Sequence, residues 1–408
     1  MTGHGPGPAV DRRKRTAPDV AAPGAAAPGA AAPGAAAPDV AAPGAAVSDV
    51  AAPDVAAPGA AVSGVVVPDA AVPSGVAAPG GAGWRRAGRH RGAGWVRALL
   101  AALITTAMVV PLSAAARPEV PAPAPASLAP PTARTLSEAY AANRANAAQA
   151  ARTAAAHGDR RRAAADRAIA AASRRFLVFD GRGSGRATEI FGDLAHADRV
   201  AVLVPGSDTS IDTYDRFHRA AAALYGALAR EAPPGSHPAV LAWLGYDTPS
   251  TVSTTVLTAD RAEQAAPRLR ALVGDVRRVT GGRAHLTLVC HSYGSVVCGR
   301  AAAGLDVDAL ALVGSPGTGA DSAAALHTPA RVWAARGSGD WVADVPHVRA
   351  ELFGTTVGFG TDPVSPGFGA RVFDAADADH SGYFAPGSTA LVNLARIALG
   401  ETPEVTHA

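Results

Sequence analysis

Residues 286–299 read LTLVCHSYGSVVCG. An apolar run of Leu286, Leu288 and Val289 breaks at His291-Ser292-Tyr293-Gly294, and small and β-branched residues then resume. A serine where a strand gives way to a helix sits in a turn tight enough to project its hydroxyl, the setting of G-x-S-x-G nucleophiles. The positions two before and two after the serine must be small. Here they are Cys290 and Gly294, so cysteine replaces the first glycine of the strict pattern. A hydroxyl is a weak nucleophile near neutral pH. It needs a base, and the base needs an acid to orient it. The chemistry such a set would perform is acyl transfer through a covalent intermediate.

The other two residues should follow in the chain order Ser, acid, His. Asp340 closes the segment ARVWAARGSGD (330–340), beyond a short apolar run. Asp344 and Asp321 are the alternatives for the acid. His380 lies in FDAADADHSGYF (373–384), before the last helical stretch, and the competing reading is an ordinary loop histidine. An oxyanion needs two donors: the N–H of Tyr293, and one from the loop GSDTS (206–210), where Ser207 is the candidate and Gly206 gives close access. Gly206 is equally consistent with a plain strand-to-helix turn. Trp341, Phe368, Phe384 and AWLGYDTP (242–249) are candidates for an apolar acyl pocket, against the commoner fate of core packing.

Cys290 and Cys298 are the only cysteines and flank Ser292. An even count in an exported chain favours a disulfide, and two buried thiols are the alternative. Neither cysteine has histidines at zinc-site intervals, so no metal is expected, and no cofactor is implied. The net charge is +3 and Lys14 is the only lysine. Basic clusters lie at 11–15, 84–97 and 159–167; the first and third hold no aromatics for a single-strand nucleic-acid surface, and the second, which holds Trp84 and Trp95, leads into an apolar run, so no nucleic-acid partner is expected.

The elements that must position these residues alternate in type. Short apolar runs at 199–206, 239–246, 284–292, 309–317 and 330–337 read as strands. Ala-rich stretches at 212–232, 258–279, 292–304 and 319–327 read as the helices between them, and 388–399 as a closing helix. Continuous apolar strands alternating with helices predict a mostly parallel α/β sheet covered on both faces. Ligands bind beyond the C-terminal ends of such strands. A helical pair at 135–175, broken at Gly158-Asp159, and a hairpin at 175–193 around Gly181–Gly185 come first.

The first third differs. Residues 1–83 are dominated by an Ala/Pro/Gly pentad repeat, APGAA and its variants. Proline in nearly every pentad blocks regular structure, so a disordered tail is expected. A second reading is that translation starts downstream of the repeat. Within 84–116, arginines precede the apolar run ALLAALITTAMVVPLSAAA (98–116), which ends in small residues. This predicts a signal peptide cleaved near Ala116, or an uncleaved anchor in the membrane through 98–116. The globular part is then secreted or held on the extracytoplasmic face. A Pro-rich linker (117–134) and the domain (135–408) follow.

Together, FLVFDGRGSGRA, ADRVAVLVPGSDTS, AWLGYDTP, VCHSYGSVVCG, LVGSPGTGA, FGARVFDA and DHSGYF resemble an actinobacterial α/β-hydrolase family of unknown function. Its elbow usually reads G-H-S-Y-G-S, and Cys290 is the main departure. The resemblance covers roughly residues 135–400, including the preceding helical pair. It implies an α/β-hydrolase fold and the triad Ser292, Asp340 and His380, and brings no substrate. The expected activity is that of an exported serine hydrolase acting on an ester or related acyl bond of a small-molecule or lipid-like substrate. A peptidase or thioesterase would use the same triad. The rival from another class is a non-catalytic envelope interaction protein on the same fold.

Overall fold

Val, Leu and Ala dominate the runs that become the central strands, and their side chains alternate between two cores. A computed structural model of the chain describes residues 121–345, 347, 350–352 and 355–408, together with Gly3. The pentad repeat and the apolar run at 98–116 lie outside the described residues. Among those described, no helix is long and apolar enough to cross a membrane.

In chain order the elements are α1 (Leu136–Ala156), α2 (Arg160–Ile169), β1 (Phe176–Asp180), β2 (Arg186–Gly192), β3 (Arg199–Val204) and α3 (Tyr214–Glu231). There follow β4 (Pro238–Leu244), α4 (Asp260–Thr280), β5 (His285–His291), α5 (Gly294–Ala301), β6 (Ala309–Val313) and β7 (Arg331–Ala335). A small hairpin of β8 (Ala350–Leu352) and β9 (Thr355–Val357) precedes β10 (Arg371–Val372) and α6 (Thr389–Leu399). Eight strands form one sheet in the order β1-β2-β4-β3-β5-β6-β7-β10. β2 runs antiparallel to β1 and β4, and the remaining pairs are parallel.

On β3, Val200, Val202 and Val204 face one core while Ala201 and Leu203 face the other, as the two-residue period of a strand requires. The first core takes Ala262, Leu269, Val273 and Val276 of α4 with Val296 and Val297 of α5. The second takes Phe217, Leu224 and Leu228 of α3 with Leu391, Leu394 and Ala398 of α6. Spacings of three and four residues put these side chains on one stripe of each helix. Each buried Val, Leu or Phe contributes about 1.5–3 kcal/mol relative to exposure. The result is the mostly parallel sheet with helices on both faces that the sequence predicts.

Three local expectations change. Residues 319–327 form only a 3-10 turn at Ala324–Leu326, because Gly317 and Gly319 both adopt positive φ and Ala323 donates to the Phe368 carbonyl instead of to a helix. β10 and the β8–β9 hairpin were not anticipated, being too short to show a period. The Pro-rich stretch from 121 is extended, but it lies against the domain. Asn146 donates to the Ala124 carbonyl, and Leu128, Pro130 and Pro131 line a shallow cavity with Leu177 and Val178.

Asn143, buried on α1, binds the backbone of β1 on its outer side. Its amide nitrogen donates to the Phe176 and Leu177 carbonyls, at 3.2 and 2.9 Å, and its oxygen accepts from Phe179 N–H at 3.0 Å. Replacing it with leucine strands these buried groups, at a cost of about 1–3 kcal/mol. Asn143→Leu is therefore expected to lower the midpoint of urea denaturation. An unchanged midpoint would show that Asn143 does not carry this load.

Candidate active site

The parallel strands end level with one another. Val204 of β3 pairs with Cys290 of β5, His291 with Val313 of β6, and Val313 with Ala335 of β7. The residues just beyond these ends therefore emerge together: Pro205-Gly206-Ser207, Ser292, Gly314 and the segment from Arg336 to Asp340.

Ser292 follows β5 directly and has φ 54°, a left-handed conformation uncommon for a residue with a side chain. Its N–H donates to the Val313 carbonyl, and the helix α5 begins two residues later. The turn leaves no room at Gly294, where a Cβ would lie 2.7 Å from the carbonyl oxygens of Val204 and Pro205. At the position before the turn, Cys290 is disulfide-bonded to Cys298 of α5, with Cα atoms 6.5 Å apart and both side chains buried.

His380 is brought to Ser292 by an isolated bridge between Gly339 and Asp379, which sets Asp340 beside His380. Ser292 Oγ and His380 Nε2 are 2.9 Å apart, as are His380 Nδ1 and Asp340 Oδ1. Because an ionised carboxylate only accepts, Nδ1 carries the proton and Nε2 can accept from the serine hydroxyl. Asp344 and Asp321, the other candidates for the acid, are exposed. Asp340 is only 2% exposed. Burial pushes its carboxyl pKa up, but hydrogen bonds from His380, Tyr383 Oη and Val342 N–H outweigh this and hold it below the usual carboxylate range.

Sequence reasoning missed Tyr383 and His291. The Tyr383 hydroxyl donates to Asp340 Oδ2 and accepts from Gly337 N–H. His291 Nε2 lies 2.7 Å from the His380 carbonyl oxygen and must donate to it. Burial, then the neighbouring His380, push the His291 pKa down to about 4, so it stays neutral near pH 7. The histidine beside Ser292 was visible in the sequence. Its partner, 89 residues away, was not. Gly314 was also missed: a Cβ there would lie 2.8 Å from Asp340 Oδ2 and 3.1 Å from His380 Nδ1.

Gly206 approaches the serine so closely that an added Cβ would lie 2.6 Å from Ser292 Cβ. Ser207 and Tyr293 line the same cavity as Ser292. Among the described residues neither of their N–H groups has a protein acceptor, which leaves both able to donate to a ligand. The Tyr293 side chain is buried, donates to the Thr258 carbonyl at 2.7 Å and packs edge-on against Phe359.

The cavity beside Ser292 has a volume of about 550 Å³ and is mainly apolar, with walls from Leu203, Phe217, Val256, Leu257, Phe359 and Phe384. That volume lies in the range of small-molecule sites. Trp341 is 52% exposed at its mouth, with its ring centroid 4.7 Å from that of His380. Of the other pocket candidates, Phe368 is buried in the core, and Trp243 and Tyr246 pack beneath the site. Tyr246 Oη donates to the Pro205 carbonyl and so supports the loop carrying Gly206.

The α/β-hydrolase family profile matches residues 180–350. With the sheet order and helix placement above, the chain has the α/β-hydrolase fold. It is 32% identical over 249 residues to an uncharacterized protein of Mycobacterium tuberculosis, covering 53% of this chain and 37% of that protein. It is 31% identical over 134 residues to an uncharacterized protein of Mycobacterium bovis, covering 31% of this chain and 50% of that one. The chain thus spans half or less of the length of these curated relatives. Among solved structures, an α/β serine hydrolase without lid from Xanthomonas campestris is 18% identical, with a TM-score of 0.35, covering 57% of this chain and 96% of its own. Esterase LipW from Mycobacterium marinum is 15% identical, with a TM-score of 0.35, covering 62% and 91%.

Two outcomes test this geometry. Tyr383→Phe removes one of the bonds that lower the Asp340 pKa. A depressed carboxyl contributes stability above its unfolded pKa and loses it as pH falls through the folded value. The pH-dependent part of the stability lost in Tyr383→Phe should therefore be full at pH 7 and fade below about pH 4, read from urea denaturation at both. The Cys290→Ala, Cys298→Ala double variant should lose about 2.5 kcal/mol by the loop-entropy relation, read as a lower denaturation midpoint. No change on removing the pair would show that the bond does not secure the elbow.

Proposed function

We propose that this α/β-hydrolase is a serine hydrolase that cleaves an ester or related acyl bond. Ser292 is the nucleophile, His380 the general base and then acid, and Asp340 the group that orients His380 and offsets its charge. The observation that carries this reading is the continuous hydrogen-bond chain from Ser292 through His380 to Asp340, opening onto an apolar cavity.

Ser292 Oγ attacks the acyl carbonyl as its proton passes to His380 Nε2. The N–H groups of Tyr293 and Ser207 stabilise the oxyanion that forms. His380 returns the proton to the leaving oxygen, the acyl group remains on Ser292, and water activated by the same histidine releases it. An apolar acyl group occupies the wall of Phe217, Val256, Phe359 and Phe384, which favours a lipid-like acyl ester over a peptide. Export, by the signal or anchor at 98–116, belongs to the same proposal. A Cys290–Cys298 disulfide is at home in an oxidising compartment.

A fluorophosphonate probe applied to the full chain should label the wild type and leave Ser292→Ala unlabelled. His380→Ala should slow labelling by at least about a thousandfold. A folded wild type that resists the probe would end the serine-hydrolase reading and favour a binding protein on the same fold.

A further inference from the structure

We propose that Arg216 recognises an anionic oxygen group, a carboxylate or a phosphate, on the acyl substrate, so that the site takes acyl compounds carrying such a group. The inference rests on the serine-hydrolase reading and adds the substrate class.

Arg216 lines the cavity that holds Ser292 and His380, and it is the one Lys or Arg among the described lining residues. It is exposed, and among the described residues it has no acidic group within ion-pair distance and no hydrogen-bond partner. The acidic groups near it in sequence are engaged elsewhere. Asp215 pairs with Arg219, and Asp212 with Arg162 at 3.3 Å. Asp208, the one carboxylate among the described lining residues, accepts from Thr251 N–H at 3.2 Å and from the Thr251 hydroxyl. Among the described residues, Arg216 therefore lines the cavity with no carboxylate paired to it.

Its position in the chain is electrostatically unfavourable. Arg216 stands in the first turn of α3, where the helix dipole is positive and acidic residues are the stabilising choice. Its charge also reaches the reaction centre, where it adds to the influences that lower the His291 pKa. A cation placed against the dipole, unpaired, beside a nucleophile and next to the apolar wall of Phe217 and Ala220 fits a two-part ligand. The acyl chain takes the wall, and a planar or tetrahedral oxyanion takes the fork of the guanidinium, which matches either geometry bidentately. Apart from the donors that face the Ser292 oxyanion, the rest of the described lining offers hydroxyls, histidines, Asp208 and apolar surface but no second Lys or Arg.

The test uses the full chain and three fluorophosphonates of equal length, ending in a carboxylate, a phosphate monoester or a neutral amide, and reads the rate of covalent labelling of Ser292. Wild type should react with at least one anionic probe about tenfold faster than with the amide, the size of a charge-assisted hydrogen bond. The anionic-to-neutral ratio should fall to about one in R216Q, remain above one in R216K and drop below one in R216E. High salt should shrink the wild-type ratio, because the guanidinium is exposed. Whichever anion is preferred identifies the group. Equal rates for all three probes in the wild type, or an unaltered ratio in R216Q, overturn the proposal and leave the serine-hydrolase reading standing. Failure of every probe on folded wild type overturns both.

Discussion

Matched register among β3, β5, β6 and β7 is the constraint on which the rest of the molecule depends. Parallel strands cannot be joined by tight turns, so each must be followed by a long return over one face of the sheet. All the connections that leave the C-terminal ends therefore begin in one plane. Here that plane gathers Gly206 and Ser207 from the first strand, Ser292 from the second, Gly314 from the third and Asp340 from the fourth. The helices that cover the sheet are Ala-rich on their buried stripes, which lets them pack close while the strands stay aligned.

At that plane two costs are offset locally. The left-handed backbone of Ser292 is held by its hydrogen bond to Val313, by the glycine at 294 and by the disulfide that joins the strand before it to the helix after it. The buried charge of Asp340 is offset by donors from three directions: His380, the Tyr383 hydroxyl and the backbone of Val342. Burying a carboxylate without such partners would shift it toward the neutral form, which cannot orient an imidazole in this way. The same network fixes the loop of His380, because Tyr383 lies in it and His291 holds the His380 carbonyl.

Much of this was legible before any coordinates. The strands β1 to β7 and the helices α1 to α6 announced themselves through apolar runs, a glycine turn and Ala-rich periods, while the helix expected at 319–327 did not form. The local chemistry of the serine turn pointed to Ser292, and chain order with loop placement led to Asp340 and His380, which the structure brings into hydrogen-bond contact. What stayed hidden has a common cause. The Asn143 contacts with β1, the His291 contact with His380 and the Tyr383 contact with Asp340 join residues tens of positions apart, and no period or motif encodes such pairs. Phe368 and Trp341 illustrate the same limit: both are aromatic residues near the site in sequence, yet one is core and the other stands at the cavity mouth. The two-residue strand β10 is set by its pairing with Trp333 and Ala334, not by its own composition.

The Asn143 amide has a consequence for how copies of this protein behave near one another. An open sheet ends in strands whose outer N–H and C=O groups can template pairing with another chain. Here one side chain engages three of those groups on β1, and the helix that bears it lies alongside. At the opposite end, β10 is only two residues long, and Phe373 next to it bridges to His407 near the C-terminus. Both margins of the sheet thus discourage strand exchange. Crowded together on a surface, such molecules would resist sheet-to-sheet polymerisation and keep their cavities separately accessible. The family match begins at residue 180, inside β1, so a fragment cut at that limit would discard this protection along with Asn143.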